Sequence, residues 1–215
     1  MERIYFYKMT TDNGGAPHVS DKLLSLAICK PMIRSTAKPG NLILGFAANS
    51  MNADNGLIYV AQVSEKLGGD DYYATTYAQR GDCIYERRGG SFVRRAGARY
   101  HGPGDLPRDL GDPPDYPRAN VLLSREFRYF GGSASADYKT RYPAIRDAVE
   151  SLTQGHRVEH VASLREALRQ LADEVLATPQ SVPGTPTTAP DCDVCLRDDD
   201  DEFCVVDEDG VRTHC

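Results

Sequence analysis

As far as residue 132 the apolar positions fall in short blocks or alternate with polar ones, and only afterwards do they take a helical period. Residues 3–9 (RIYFYKM) are aromatic-rich and predict a strand. Asn13-Gly14-Gly15 and Pro17 make 11–20 a loop. The apolar block 21–29 (DKLLSLAIC) fits either a short helix or a buried strand, and Pro31 stops it. After a turn at Lys38-Pro39-Gly40, NLILGFAA predicts a buried strand. A second turn, Asn52 to Gly56, leads into LIYVAQVSEK, where Ile58, Val60 and Gln62 alternate with Tyr59, Ala61 and Val63, so the two runs predict a hairpin. Residues 70–79 predict a short helix. CIYERR and SFVRRA flank Gly89-Gly90, a two-residue hairpin turn. Residues 96–119 are crowded with Gly, Pro and Asp, and so long a loop in a compact domain is usually functional or mobile. NVLLSREFRYF, 120–130, predicts a further single strand ending at Gly131-Gly132.

Helices follow, over 138–152 and 163–177. In the second, Ser163 and Glu166 have the spacing of a capping box, and Leu164, Ala167, Leu168, Leu171, Ala172, Val175 and Leu176 trace one apolar face. Pro179 ends it. Strands first and helices last predict an α+β domain over 1–178. Residues 179–190 (PQSVPGTPTTAP) have the composition of a flexible linker, and 191–215 form an acidic, cysteine-rich tail. No apolar run approaches the roughly 18 residues of a membrane span, and the first residues lack the pattern of a secretory signal, so a cytoplasmic protein is expected.

Charge separates along the chain. The net charge is −6, yet 191–215 holds ten acidic and two basic residues, whereas 1–190 holds twenty-one acidic and twenty-three basic ones. A near-neutral domain gives only modest support to nucleic-acid binding. In the tail, Cys192 and Cys195 are spaced as half of a zinc knuckle. A hairpin turning at Asp209-Gly210 sets Cys204 opposite Cys215 and Val205 opposite His214, so four cysteines, rather than three and His214, could close a structural zinc site. A disordered acidic tail and a Cys204–Cys215 disulfide are the alternatives.

Three further clusters carry chemistry: Cys29-Lys30-Pro31-Met32-Ile33-Arg34 running on to Lys38, Gly81-Asp82-Cys83-Ile84-Tyr85, and Leu123-Ser124-Arg125-Glu126-Phe127-Arg128-Tyr129-Phe130. With IYFYKMTTDNGGAP, LAICKPMIRSTAKPGNLILGF, LIYVAQVSEKLGGDDYY, GDCIYER and VLLSREFRYFGG standing in this order, the chain resembles the nucleotide-modification-associated domain family of type two, found in phages and bacteria. The resemblance covers about residues 3–132 and departs from the pattern in the loop 86–119 and at Asn41, where an acidic residue is usual. It implies a role in DNA base modification or the handling of modified nucleotides. The strand pair around Lys38-Pro39-Gly40 has a weaker resemblance to the PUA-like superfamily, which implies a barrel, so the expected fold is α+β with a mostly antiparallel, barrel-like sheet and C-terminal helices.

Under these resemblances a nucleotide or an extruded base would meet Lys30, Arg34, Lys38, Asp82, Tyr85, Ser124 and Tyr129, by phosphate contact, hydrogen bonding or stacking. Each has a plainer reading as a turn, strand or core residue. Cys29 is a candidate nucleophile with His18 or His101 as its base, Asp82 is a further catalytic candidate, and His101 could supply acid–base chemistry if its loop closes as a lid. A cysteine ending an apolar run is more often simply buried. Three functions follow: a reader of nucleotides or modified bases, an enzyme that modifies them, or an adaptor that docks a protein partner through its tail.

Overall fold

The computed structural model describes residues 2–74, 76–153 and 155–188 and the short strands 205–206 and 212–213. The aromatic run forms β1 (Ile4–Met9), which pairs in parallel with β4 (Leu42–Ala47). On its other side β1 pairs antiparallel with β11 (His156–Arg157). The expected hairpin joins β4 to β5 (Leu57–Gln62), with a bulge at Gly45/Phe46. A side chain at Gly45 would stand 2.3 Å from the Tyr59 ring, so glycine lets that ring cross the sheet. This sheet buries both faces, which explains strands that are continuously apolar. Ile4, Phe6, Leu42, Leu44, Phe46 and Val60 face the C-terminal helices. Tyr5, Tyr7, Met9, Ile43, Tyr59 and Ala61 face a second sheet through Leu24, Leu26 and Leu122.

The second sheet is antiparallel, in the order β2 (His18–Ser20), β3 (Leu23–Leu26), β9 (Asn120–Ser124), β6 (Glu65–Gly68). The apolar block at 21–29 is therefore a strand. The run 120–130 is two strands, not one. After β9 the chain switches sheets at exposed Arg125, whose N–H donates to Ser64 Oγ, and β10 (Glu126–Tyr129) pairs with β5 in the first sheet. These crossings leave β2, β6 and β10 as sheet edges, so the sheets are open and do not close into the expected barrel. No PUA-like closure is seen among the described residues.

A separate hairpin, β7 (Tyr85–Arg88) and β8 (Ser91–Arg94), turns at Gly89-Gly90 as the dipeptide predicts. Short helices α1 (Pro31–Thr36), α2 (Gly69–Tyr72) and α3 (Leu106–Leu110) sit in the connections. The predicted helix 138–152 divides at Tyr142 into α4 (Tyr138–Arg141) and α5 (Pro143–Ser151), because Pro143 has no N–H with which to continue the ladder. α6 (Ala162–Ala177) packs Leu164, Leu168, Leu171 and Ala172 on the first sheet. Its N-cap is Val161, and Ser163 lies already inside, so the capping box does not form.

Beyond α6 the chain lies along the free edge of β10. Gly184 N–H donates to the Tyr129 carbonyl, Gly132 N–H to Thr185, and Thr188 N–H to Asp12. This strap covers the edge with main-chain bonds and needs few apolar side chains. In the tail, β12 (Val205–Val206) pairs with β11 and with β13 (Arg212–Thr213). Val205 stands opposite Thr213, one position from the expected register. Cys192, Cys195, Cys204 and Cys215, and with them the zinc set, lie outside the described residues. No helix among the described residues is long and apolar enough to cross a membrane.

Candidate active site

The loop between β3 and α1 carries Cys29 past the end of the second sheet, and the long 96–119 loop folds back over it. Cys29 is half-buried, while His101 and Asp109 are fully buried. Cys29 Sγ lies 3.0 Å from His101 Nε2, and His101 Nδ1 lies 2.5 Å from Asp109 Oδ2. A carboxylate on Nδ1 keeps the ring proton there, which leaves Nε2 as the acceptor facing the thiol. The three side chains thus stand in the order nucleophile, base, orienter.

Asp109 is held from several sides. Its Oδ1 accepts the Cys29 backbone N–H at 2.9 Å, and its Oδ2 also accepts the Tyr85 hydroxyl at 2.7 Å. Burial works against its ionisation, but His101, Arg34 and the Tyr85 hydroxyl outweigh it and hold the carboxyl below its usual range. Burial, and then the adjacent carboxylate, pushes the Tyr85 phenol far up, so Tyr85 remains a donor.

Arg34 is the frame of the loop. Its Nε donates to the Cys29 carbonyl at 2.6 Å, Nη1 to the carbonyls of Arg118 and Asn120 at 2.9 and 2.6 Å, and Nη2 to that of Asp109 at 2.7 Å. Its Nη2 also lies 4.0 Å from the Asp109 carboxylate, with both side chains fully buried. One guanidinium fork therefore ties the cysteine loop to Asp109 and to the start of β9 at Arg118 and Asn120.

The backbone around the thiol is unusual. Cys29, Lys30 and His101 have φ of 53°, 45° and 54°, in the left-handed region that costs an L-residue free energy. Such conformations persist only where the surroundings enforce them, and here the Arg34 and Asp109 bonds do so.

Residues 1–185 match a family model described as nucleotide modification associated domain 2. The chain belongs to this family. No curated protein and no solved structure matches it. The match runs beyond the blocks recognised in the sequence, through α6 and into the strap. Membership assigns this nucleotide modification associated domain to nucleotide modification systems.

Of the residues singled out in the sequence, the fold gathers Cys29, Arg34, Tyr85 and His101 at one place. Lys30 is adjacent, its Nζ 4.9 Å from the centre of the Tyr7 ring. Lys38 is exposed on its turn, where its N–H donates to Asn41 Oδ1 at 3.0 Å, so the amide at the family's departure point caps the turn. Asp82 sits in a second buried cluster, accepting Ser25 Oγ at 2.5 Å and the Tyr72 hydroxyl at 2.7 Å beside Arg80. Ser124 is buried in β9 opposite Leu24. His18, the other base considered, is turned away from the thiol. Its Nδ1 is 2.8 Å from the Gly14 carbonyl, and its Nε2 faces the Gly81 N–H.

Tyr129 and His18 meet elsewhere, in a cavity of about 510 Å³ whose walls include Asn13, Lys22, Tyr100 and the strap residues Gly184 and Pro186. Cys29 is not among its lining residues. The Tyr129 hydroxyl donates to Asp12 Oδ1 at 2.6 Å, and Thr187 binds the other carboxylate oxygen, which pins the strap as one wall. Asp109 was not singled out in the sequence. It shares its loop with Asp105, Asp112 and Asp115, and no local spacing distinguishes it from them.

Proposed function

We propose that this domain is a thiol-dependent enzyme that modifies a nucleotide or nucleobase, with Cys29 as nucleophile, His101 as general base and Asp109 as the group that orients His101. The supporting observation is the Cys29–His101–Asp109 arrangement, with contacts of 3.0 and 2.5 Å. In the reaction Cys29 gives its proton to His101 Nε2, and the thiolate adds to an electrophilic carbon of the substrate. The imidazolium then returns its proton to the departing group, and a water or acceptor nucleophile deprotonated by His101 displaces the thiolate, which regains its proton from His101. Asp109 stays ionised throughout and stabilises the imidazolium. Acyl-type transfer through a thioester is the reaction class to which such an arrangement is best suited.

The test incubates the full chain with plain DNA, base-modified DNA, RNA and free nucleotides. Intact-mass measurement looks for a covalent adduct, and product analysis looks for turnover. The reading expects an adduct mapped to Cys29 and turnover that Cys29→Ser abolishes while binding is kept. Turnover untouched by Cys29→Ser would overturn it.

A second reading, a module that binds a nucleotide or modified base without turnover, is favoured by the cavity between Tyr100, Tyr129 and His18. Its volume is within the usual range for small-molecule sites. Binding without adduct or product, abolished by Tyr129→Ala, would favour that reading. The adaptor role and the zinc site of the tail rest on the tail's sequence alone.

A further inference from the structure

The hairpin β7–β8, with the loop that leaves it, forms an arginine ribbon: Arg87, Arg88 and Arg94 lie on the strands, and Arg95 and Arg99 just beyond them. Residues 84–99 hold five arginines and a single acidic residue, Glu86. Arg88 and Arg99 are exposed, and the turn at Gly89-Gly90 projects where an added Cβ would meet nothing within 4 Å. Arg94 and Arg95 spend N–H groups on the carbonyls of Ala98, Tyr100, Tyr73 and Tyr85. Carbonyls fix these cations without neutralising them. The carboxylates present are Glu86, beside Arg88 and Arg95, and Asp70, beside Arg87. The Arg95–Glu86 pair is half-buried, whereas Arg87 and Arg88 are exposed, and exposed pairs contribute about 0–1 kcal/mol and exchange readily for a competing anion.

The root of this ribbon is the candidate active site itself. Tyr85, the first residue of β7, donates its hydroxyl to Asp109, and Arg94, the last of β8, holds the carbonyl of Tyr100, the residue before His101. A four-residue strand spans roughly 13 Å. Duplex DNA offers a phosphate on each strand about every 3.4 Å along its axis. Successive side chains point to opposite faces of a strand, and Arg87 lies over the Phe92 and Tyr116 rings, so the exposed Arg88 and Arg99 are the cations that can each meet a separate phosphate of a polynucleotide, where a nucleoside monophosphate offers one.

We infer that the substrate of the Cys29 site is a polynucleotide, captured through its phosphate backbone by the β7–β8 arginine ribbon; this rests on the enzymatic reading above. The ribbon supplies the sequence-independent part of binding, and the target nucleotide is presented at the ribbon's root.

The experiment is a fluorescence anisotropy titration of the full chain with labelled single-stranded and duplex DNA of mixed sequence, over a range of salt concentrations. ATP and poly-glutamate serve as competitors. Affinity is expected to fall linearly with salt on logarithmic axes, with DNA outcompeting both competitors. The Arg88→Ala/Arg99→Ala double variant is expected to melt as the parent does and to lose roughly 1.4–1.8 from the magnitude of the salt slope. The matching lysine double variant keeps the slope, which separates charge from shape. The titration reads binding alone and needs no thiol chemistry, so a failed nucleophile assignment leaves this result standing and a failed ribbon leaves the thiol chemistry standing. The inference is overturned by salt-independent binding, by an unchanged slope in the alanine double variant, or by poly-glutamate competing as well as DNA.

Discussion

Asp109→Asn is nearly isosteric, and the bonding around Asp109 fixes what it must do. The carboxylate accepts three donors: the Cys29 N–H on Oδ1, and His101 Nδ1–H and the Tyr85 O–H on Oδ2. An asparagine has one oxygen. If that oxygen keeps the Cys29 N–H, its amide faces His101, whose Nδ1 must then become an acceptor. The ring proton moves to Nε2, which can no longer receive the thiol proton, and wrong-tautomer variants of such triads lose about 10⁴-fold in rate. If the amide is turned round, two N–H groups face each other at Cys29, leaving a buried donor unmade at about 1–3 kcal/mol. Either way Arg34 loses a buried carboxylate neighbour, and charge-assisted hydrogen bonds, worth about 1.5–3 kcal/mol each, become neutral ones. A loss of about 2–4 kcal/mol follows, which for a domain of this size lowers Tm by roughly 5–15 °C. The loss also carries a pH signature. The folded carboxyl lies below its usual range, so its contribution is full well above about pH 4 and disappears as pH falls through the folded value. Denaturant melts of parent and variant at pH 7 and at pH 3.5 measure both quantities. A variant within 0.5 kcal/mol of the parent at pH 7, or a gap that widens in acid, would refute the reasoning.

Arg34→Lys replaces a five-donor fork by a point charge with three donors, facing carbonyls from three directions. A loss of about 3–5 kcal/mol is expected in denaturant melts, and a loss below 1 kcal/mol would show that the fork does not frame the loop. Gly131→Ala sets a Cβ about 1.9 Å from the Thr185 carbonyl oxygen at a φ of 54°, so the strap should leave the β10 edge. Limited proteolysis should then cut within 179–188 faster than in the parent, and equal rates would contradict the strap's contacts. For the tail, elemental analysis is expected to find one zinc per chain, lost on Cys204→Ser; metal-free protein would reject the cysteine site.

What the sequence made legible was whatever depends on near neighbours. The β4–β5 pairing follows from period-two alternation around a turn, and the β7–β8 hairpin from Gly89-Gly90, because local backbone preference decides both. The break between β9 and β10 was not legible: Ser124-Arg125-Glu126 reads as continuous strand, and only the competition of two sheets for one chain divides it. Cys29 and His101 could be named as candidates because thiol and imidazole are rare here and chemically conspicuous. Their partner could not, since the 96–119 loop offers several aspartates and only tertiary packing selects Asp109. Arg34 read as a phosphate contact because a sequence displays its charge and not its burial, whereas in the fold its donors go to carbonyls. The strap was equally invisible, for its composition is that of a linker and its attachment is through the main chain.

The central claim is that His101 activates the Cys29 thiol, and peptide-resolved labelling of the full chain with iodoacetamide at neutral pH tests it most directly. Cys83 is the internal reference, since it is buried and burial pushes its thiol up to about 11. The account predicts that Cys29 labels far faster than Cys83, and that His101→Ala slows Cys29 at least tenfold while leaving Cys83 unchanged. Cys29 labelling as slowly as Cys83, or at a rate indifferent to His101, would contradict it.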